Sequence, residues 1–168
     1  MGRKCELVKE VFMKIEKCEK GRTLYHVACD LILLDEKKVL LQHRVNTGWM
    51  NNMWNLVVGH CEDDETLEQA IVREVKEELG IEINVDDVEI VHCIQFKSNR
   101  LTMQFYAVCE RYQGTPKVRA ELVNGVEICK ADKLEWFDID NLPENIVPTV
   151  KHAIDNYLNG VSFSKFGF

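Results

Sequence analysis

The residues with the clearest chemical potential lie in one short segment. Glu74, Glu77 and Glu78 stand in the run Arg73-Glu74-Val75-Lys76-Glu77-Glu78-Leu79-Gly80-Ile81. At about 100° per residue, the three glutamates share one face of a helix, one turn apart. Leu67, Ala70 and Ile71 lie over the same side, with Val75 and Leu79 beside it, while Gln69 and Lys76 project away. An ordinary amphipathic helix sets its carboxylates opposite the apolar stripe; here they border it. Like charges one turn apart repel even in water, and more strongly in a lower dielectric. Either protonation at a raised pKa or a divalent cation offsets that repulsion. Several oxygen donors on a rigid helix match Mg²⁺ or Mn²⁺ rather than zinc.

The elements that must hold this face can be read from the pattern around it. Thr66-Leu67-Glu68-Gln69 is a capping box that opens a helix over 66–79, and Gly80 stands where a left-handed cap would close it. Upstream, Leu24–Leu34, Val39–Val45 and Trp54–Val58 read as strands, with Asp35-Glu36-Lys37-Lys38 as a polar turn. Downstream, strands are expected over about 88–97, 101–112 and 134–139, with a polar loop over about 113–131. Leu7, Val8, Val11, Phe12, Ile15 and Cys18 recur at helical spacing, so an N-terminal helix is expected over about 4–19. A C-terminal helix is expected over about 147–159. The apolar tail after it, Val161 to Phe168 with three phenylalanines, is expected to dock on the body or on a second subunit. Strands before, between and after helices give an α/β class: an α+β mixed sheet with helices on both faces.

The chain has 168 residues, which fits a single domain, 1–168. Twenty-one Lys+Arg against 28 Asp+Glu leave a net charge of −7. That surface repels polynucleotides and anionic lipid, so no polynucleotide and no membrane partner is expected. No apolar run reaches the roughly 18–20 residues of a membrane helix, and the start lacks a signal-peptide core. Seven cysteines, Cys5, Cys18, Cys29, Cys61, Cys93, Cys109 and Cys129, form no C-x-x-C pair. They read as reduced thiols, mostly core residues, and place the chain in the cytoplasm.

Gly59, five residues, Glu65, seven residues, then Arg73 to Ile81 match the Nudix box, G-x5-E-x7-R-E-U-x-E-E-x-G-U, without a mismatch. At ordinary residue frequencies, seven such identities coincide on the order of once in 10⁸ placements. The segment 59–81 therefore resembles the Nudix hydrolases, and Thr47-Gly48-Trp49, Leu134-Glu135-Trp136-Phe137 and Leu142-Pro143-Glu144-Asn145 resemble MutT-type bacterial members. The resemblance implies an α/β/α sandwich with the box as loop–helix–loop. It also implies divalent-metal-dependent hydrolysis of a pyrophosphate bond in a nucleoside diphosphate-linked small molecule. Glu74, Glu77 and Glu78 would be metal ligands for Mg²⁺ (or Mn²⁺), with Glu74 orienting or deprotonating the water. Glu65 and Arg73 would support them, and Gly59 would let the backbone turn so that the Val58 carbonyl faces the metal. A further ligand or base would come from a distant loop: Glu127, with Glu121 and Glu110 as competitors.

Several departures narrow the substrate. Val57-Val58-Gly59 stands where many members have Pro-Gly-Gly or Pro-Ala-Gly, and no proline occurs between Ile81 and Thr115. Lys97-Ser98-Asn99 stand where dinucleoside-polyphosphate hydrolases carry a tyrosine. By elimination, a nucleoside triphosphate or similar small nucleotide is expected. Arg44 suits a phosphate contact or an exposed strand end, and Trp49 with Asn51 suits stacking on a base and reading its edge. Trp54 reads as core, and His43 and His60 read as structural. The alternatives are a catalytically silent nucleotide-sensing module and an isoprenoid diphosphate isomerase. Monomer and homodimer both remain open.

Overall fold

The computed structural model describes residues 17–123 and 125–168. The helix expected over 4–19 falls almost wholly outside that span. Its last residues are not helical, because Lys17 bridges Thr23 across a tight turn.

The centre of the molecule is a mixed sheet built on β1 (His26–Asp35). Along one edge β1 runs parallel to β6 (Leu101–Cys109), with Cys29 opposite Phe105. β6 pairs antiparallel with β5 (Glu89–Lys97). Along its other edge β1 forks. Its first half, Ala28 to Leu31, pairs with β4 (Val57–His60), and its end turns at Leu34–Val39 into β2 (Lys38–Arg44). β2 then pairs with the two-residue β3 (Trp54–Asn55) and with β9 (Ala131–Asp138). β1 thus has two partners along this edge, β4 over its first half and β2 at its end.

Two helices cover the two faces. α1 (Leu67–Leu79) begins at a complete capping box. The Thr66 hydroxyl accepts from the Gln69 N–H, and Gln69 Oε1 accepts from the Thr66 N–H at 2.9 Å. Gly80 ends the helix in the left-handed region, at φ 69°, where a residue without Cβ is least strained. Ala70, Ile71, Val75 and Leu79 of α1 pack on Cys29, Leu31 and Leu33 of β1. α2 (Pro148–Leu158) opens with proline at its first turn, where the missing N–H is no loss. Val150, Ala153 and Ile154 of α2 pack on Ile32, Leu34 and Tyr106 from the opposite face. The alternation of β1 therefore serves two cores, which is why it reads as a continuous apolar run.

One segment departs from expectation, and another meets one of its two expected outcomes as a strand. The stretch 113–131 was expected as a loop, but it contains a small hairpin, β7 (Glu121–Val123) with β8 (Val126–Ile128). The Asn124-Gly125 pair is the sequence signal for such a hairpin. The C-terminal tail docks on the body as β10 (Phe163–Phe166), parallel to β5 with Phe163 opposite Cys93. Buried His92 holds it there: its Nδ1 lies 2.6 Å from the Val161 carbonyl and its Nε2 2.9 Å from Ser164 Oγ. Among the described residues, no helix is long and apolar enough to cross a membrane, and six cysteines are free thiols.

Candidate active site

Arg73, at the midpoint of α1, is the hub of the acidic face. Its guanidinium grips Glu65 at both carboxylate oxygens, Nε to Oε1 at 2.8 Å and Nη2 to Oε2 at 3.0 Å. Nη2 also donates to the His60 carbonyl at 3.0 Å, and Nη1 reaches Glu74 Oε1 at 2.9 Å. Glu77 Oε2 follows at 3.5 Å. One planar cation thus ties the loop, the helix and β4 together, as a bidentate fork can and a lysine cannot. The Arg73 bond holds the Glu65 carboxyl below the usual range, and Glu65 in return raises the Arg73 guanidinium.

Glu74 and Glu77 differ in their surroundings. Glu74 is only 17% exposed, whereas Glu77 is 56% exposed, so the shared desolvation expected of the acidic face belongs to Glu74 and not to Glu77. Burial pushes the Glu74 carboxyl up, against the pull of Arg73. A carboxylate so placed is a stronger base than a solvated one. Glu78, further along the helix, reaches into the fork of the sheet, where Gln42 Nε2 donates both to Glu78 Oε2 and to the Leu56 carbonyl at 3.1 Å.

Gly59 has a different reason to be glycine than the sharp turn expected of it. It lies within strand β4 opposite Cys29, without a positive φ. A Cβ there would overlap Glu74 Cγ and stand 2.7 Å from Cδ. The missing side chain is the space that Glu74 occupies.

On the other side of β4 lies a cavity of about 340 Å³. Its walls include Arg44 and Trp49, Val58 and His60 of β4, and Thr102 and Gln104 of β6. The Arg44 guanidinium lies 5.3 Å from the Trp49 ring centre, and its Nε donates to the Trp49 carbonyl at 3.3 Å. Trp49 is 45% exposed, with Arg44 against its ring. Arg44 also feels the charges of Glu78 and Asp30, so it stands at the fork between the cavity and the acidic helix. Partial burial and nearby Arg100 hold the His60 imidazole below its ordinary range.

The structure brings Glu65, Arg73, Glu74 and Glu77 into one ion-pair cluster, and it places Arg44, Trp49 and Val58 around one cavity. It does not bring Asn51 to that wall. The Asn51 carboxamide oxygen is taken by the N–H and hydroxyl of Thr47, at 3.0 and 2.7 Å, so it shapes the turn that carries Trp49. Glu127 stands exposed on β8, opposite Leu122, outside the Arg73 cluster. Glu110 lies beside Asp87 and Arg111 in a separate cleft. His43, bonded to Asp132 at 2.7 Å, packs edge-on against core Trp54. Sequence reading missed Asp30, Thr102 and Gln104. Asp30 did carry a signal, a charged residue inside an apolar strand.

The donor set suits a hard divalent cation: carboxylate oxygens alone, with one of them seated in a cradle that a Cβ would fill. Among the described residues, no three acidic, His or Cys side chains converge on one point, because Arg73 draws Glu74 and Glu77 toward itself.

The chain is similar to known proteins in family and in fold. The family model described as NUDIX domain matches residues 24–157. An 8-oxo-dGTP diphosphatase from Proteus vulgaris is 31% identical over 85 residues, covering 51% of this chain and 76% of that protein. A prenyl-diphosphate phosphatase from Methanosarcina mazei is 28% identical over 138 residues and covers 77% of each chain. The crystal structure of a MutT NUDIX hydrolase from Burkholderia pseudomallei superposes with a TM-score of 0.67 at 21% identity, covering 79% of this chain and 97% of that one. With its box intact on a capped helix and the family match running from β1 to α2, the chain belongs to the Nudix hydrolases.

Proposed function

We propose that the protein hydrolyses a pyrophosphate bond in a nucleoside triphosphate or another small nucleoside diphosphate-linked compound, with Mg²⁺ or Mn²⁺ as cofactor. One observation carries the reading: the Arg73–Glu65–Glu74 cluster and the Trp49–Arg44 cavity share strand β4 as a common wall. Glu74, Glu77 and Glu78, with the Val58 carbonyl, would hold the metal, and Glu127 is the candidate for a further ligand. The bound cation would neutralise phosphate oxygens and make a water molecule more acidic. Glu74 is placed to take the proton of the attacking water, since burial makes its carboxylate a stronger base than a solvated one. Glu65 fixes the Arg73 fork, and the fork fixes Glu74. Arg44 supplies the local positive charge that a polyphosphate needs on an acidic protein. Trp49 offers a face for a base. The free thiols suit a reducing cytoplasm.

The Methanosarcina relative raises a second reading, a prenyl diphosphate as substrate. The cavity argues against it. Thr102 and the carboxamide oxygen of Gln104 are polar groups that an isoprenoid chain would cover without giving them a partner. A panel of nucleoside triphosphates, nucleoside diphosphate-linked compounds and prenyl diphosphates, assayed with Mg²⁺ and Mn²⁺ for phosphate and pyrophosphate release, separates the readings. Turnover of nucleotides, lost in Glu78→Gln with the fold intact by circular dichroism, is expected. Turnover of prenyl diphosphates alone, or tight nucleotide binding without product, would overturn it.

A further inference from the structure

The floor of the cavity is made by side chains that the hydrolytic machinery does not use. β1 and β6 run parallel, with Ala28 opposite Gln104 and Asp30 opposite Tyr106. Ala28 and Gln104 line the cavity, and Asp30 lies next along the same face of β1. Asp30 is fully buried. Its Oδ2 accepts from Gln104 Nε2 at 2.8 Å, while its Oδ1 has no hydrogen-bond partner among the described residues. A buried carboxylate oxygen without a donor is costly, and native structures seldom leave one so without a use.

The pairing also fixes Gln104. An ionised carboxylate only accepts, so it takes the amide N–H and leaves the carboxamide oxygen for whatever enters. The floor therefore presents acceptors: Gln104 Oε1, with the negative charge of Asp30 behind it. Cytosine, adenine and guanine each carry an exocyclic amine that donates to such a floor. Uracil and thymine set carbonyl oxygens on both sides of their single N–H, and those oxygens meet the acceptors unfavourably.

Resting on the nucleotide reading above, we propose that Gln104 is the base-reading residue of this site and Asp30 its positioning residue, selecting nucleotides whose base bears an exocyclic amine. Arg44, Trp49 and the acidic helix serve every nucleotide alike. Gln104 and Asp30 discriminate among them.

The test compares CTP with UTP, which differ at the reading edge alone, at pH 8.5 with Mg²⁺. Quenching of tryptophan fluorescence by CMP and UMP measures the same preference without turnover. In the wild-type protein, kcat/KM for CTP should exceed that for UTP by roughly tenfold or more, as expected when a site built to accept a hydrogen bond meets a ligand that cannot donate it. CMP should also bind more tightly than UMP. Gln104→Leu should bring both ratios close to one, mainly by loss on the cytidine side. Asp30→Asn keeps the shape but can donate to the amide oxygen, freeing Gln104 to turn, so the ratios should narrow as uridine gains. A residue that only supports the fold would move both nucleotides together. No cytidine preference in the wild-type protein, or a preference unchanged in both variants, overturns the proposal. If no nucleotide is turned over while CMP still binds better than UMP, the hydrolase reading fails and base reading stands.

Discussion

Gly59 and Glu74 occupy one space: the absent Cβ of the strand residue is where the glutamate side chain lies. Because Gly59 has ordinary strand dihedrals, alanine can be accommodated there by the backbone but not by Glu74. Gly59→Ala is thus expected to fold and to displace the Glu74 carboxylate from Arg73. Misplacement of a reacting group by about 1 Å costs on the order of 10²-fold in rate. The check is kcat on the best nucleotide beside a thermal melt. A variant as active as wild type would show that Glu74 does not need its present position.

Asp30 makes stability depend on pH in a direction opposite to most carboxylates. Burial is the main cause that pushes its pKa from 3.8 up to about 7, while Gln104 and Arg44 pull the other way. Between those two values the folded chain keeps a proton that the unfolded chain has released. Folding is therefore favoured at the acidic end of that window, and stability falls as pH rises toward about 7. At full ionisation the cost is on the order of 4 kcal/mol. Asp30→Asn removes it, so the variant should resist urea better than wild type at pH 8. The advantage should shrink at pH 5. An advantage that is constant with pH would assign it to something other than this carboxyl.

Ser164 ties β10 to one strand, β5, and one helix, α2, through histidines: its hydroxyl lies 2.9 Å from His92 Nε2 and 3.0 Å from His152 Nε2. Ser164→Ala leaves a ring nitrogen of buried His92 without that partner, at a cost of about 1–3 kcal/mol. The urea midpoint is expected to fall with activity per folded molecule unchanged, since β10 lies across the sheet from the acidic helix. A midpoint at the wild-type value would mean that strand pairing alone retains the tail.

The parts that could be read from sequence are those whose determinants are local. Thr66, Gln69 and Gly80 mark both ends of α1 within a span of fifteen positions, and Pro148 marks the start of α2. The Glu65–Arg73–Glu74 grouping was legible only through the resemblance to the Nudix box, and in the structure a helix and its entry loop bring it together. The cavity was not. Arg44, Gln104 and Asp30 meet only because β1 lies between β2 and β6, a matter of sheet order that no spacing within the chain encodes. Asn51 looked suited to a base because its side chain can read one, but Thr47, four residues away, reaches it first. β10 was hidden because a four-residue strand carries little periodicity and its partner β5 lies some seventy positions upstream.

The divergence of β2 and β4 from β1 divides labour within the molecule. The Arg73 cluster is built on one side of the sheet by a short contiguous stretch of chain, while the walls of the cavity come from strands far apart in sequence on the other. On the proposed assignment, exchanges on the second side would redirect the protein toward new compounds without touching the first. A selection experiment confined to β6 and the start of β1 would retune preference while the bond-breaking apparatus is inherited whole.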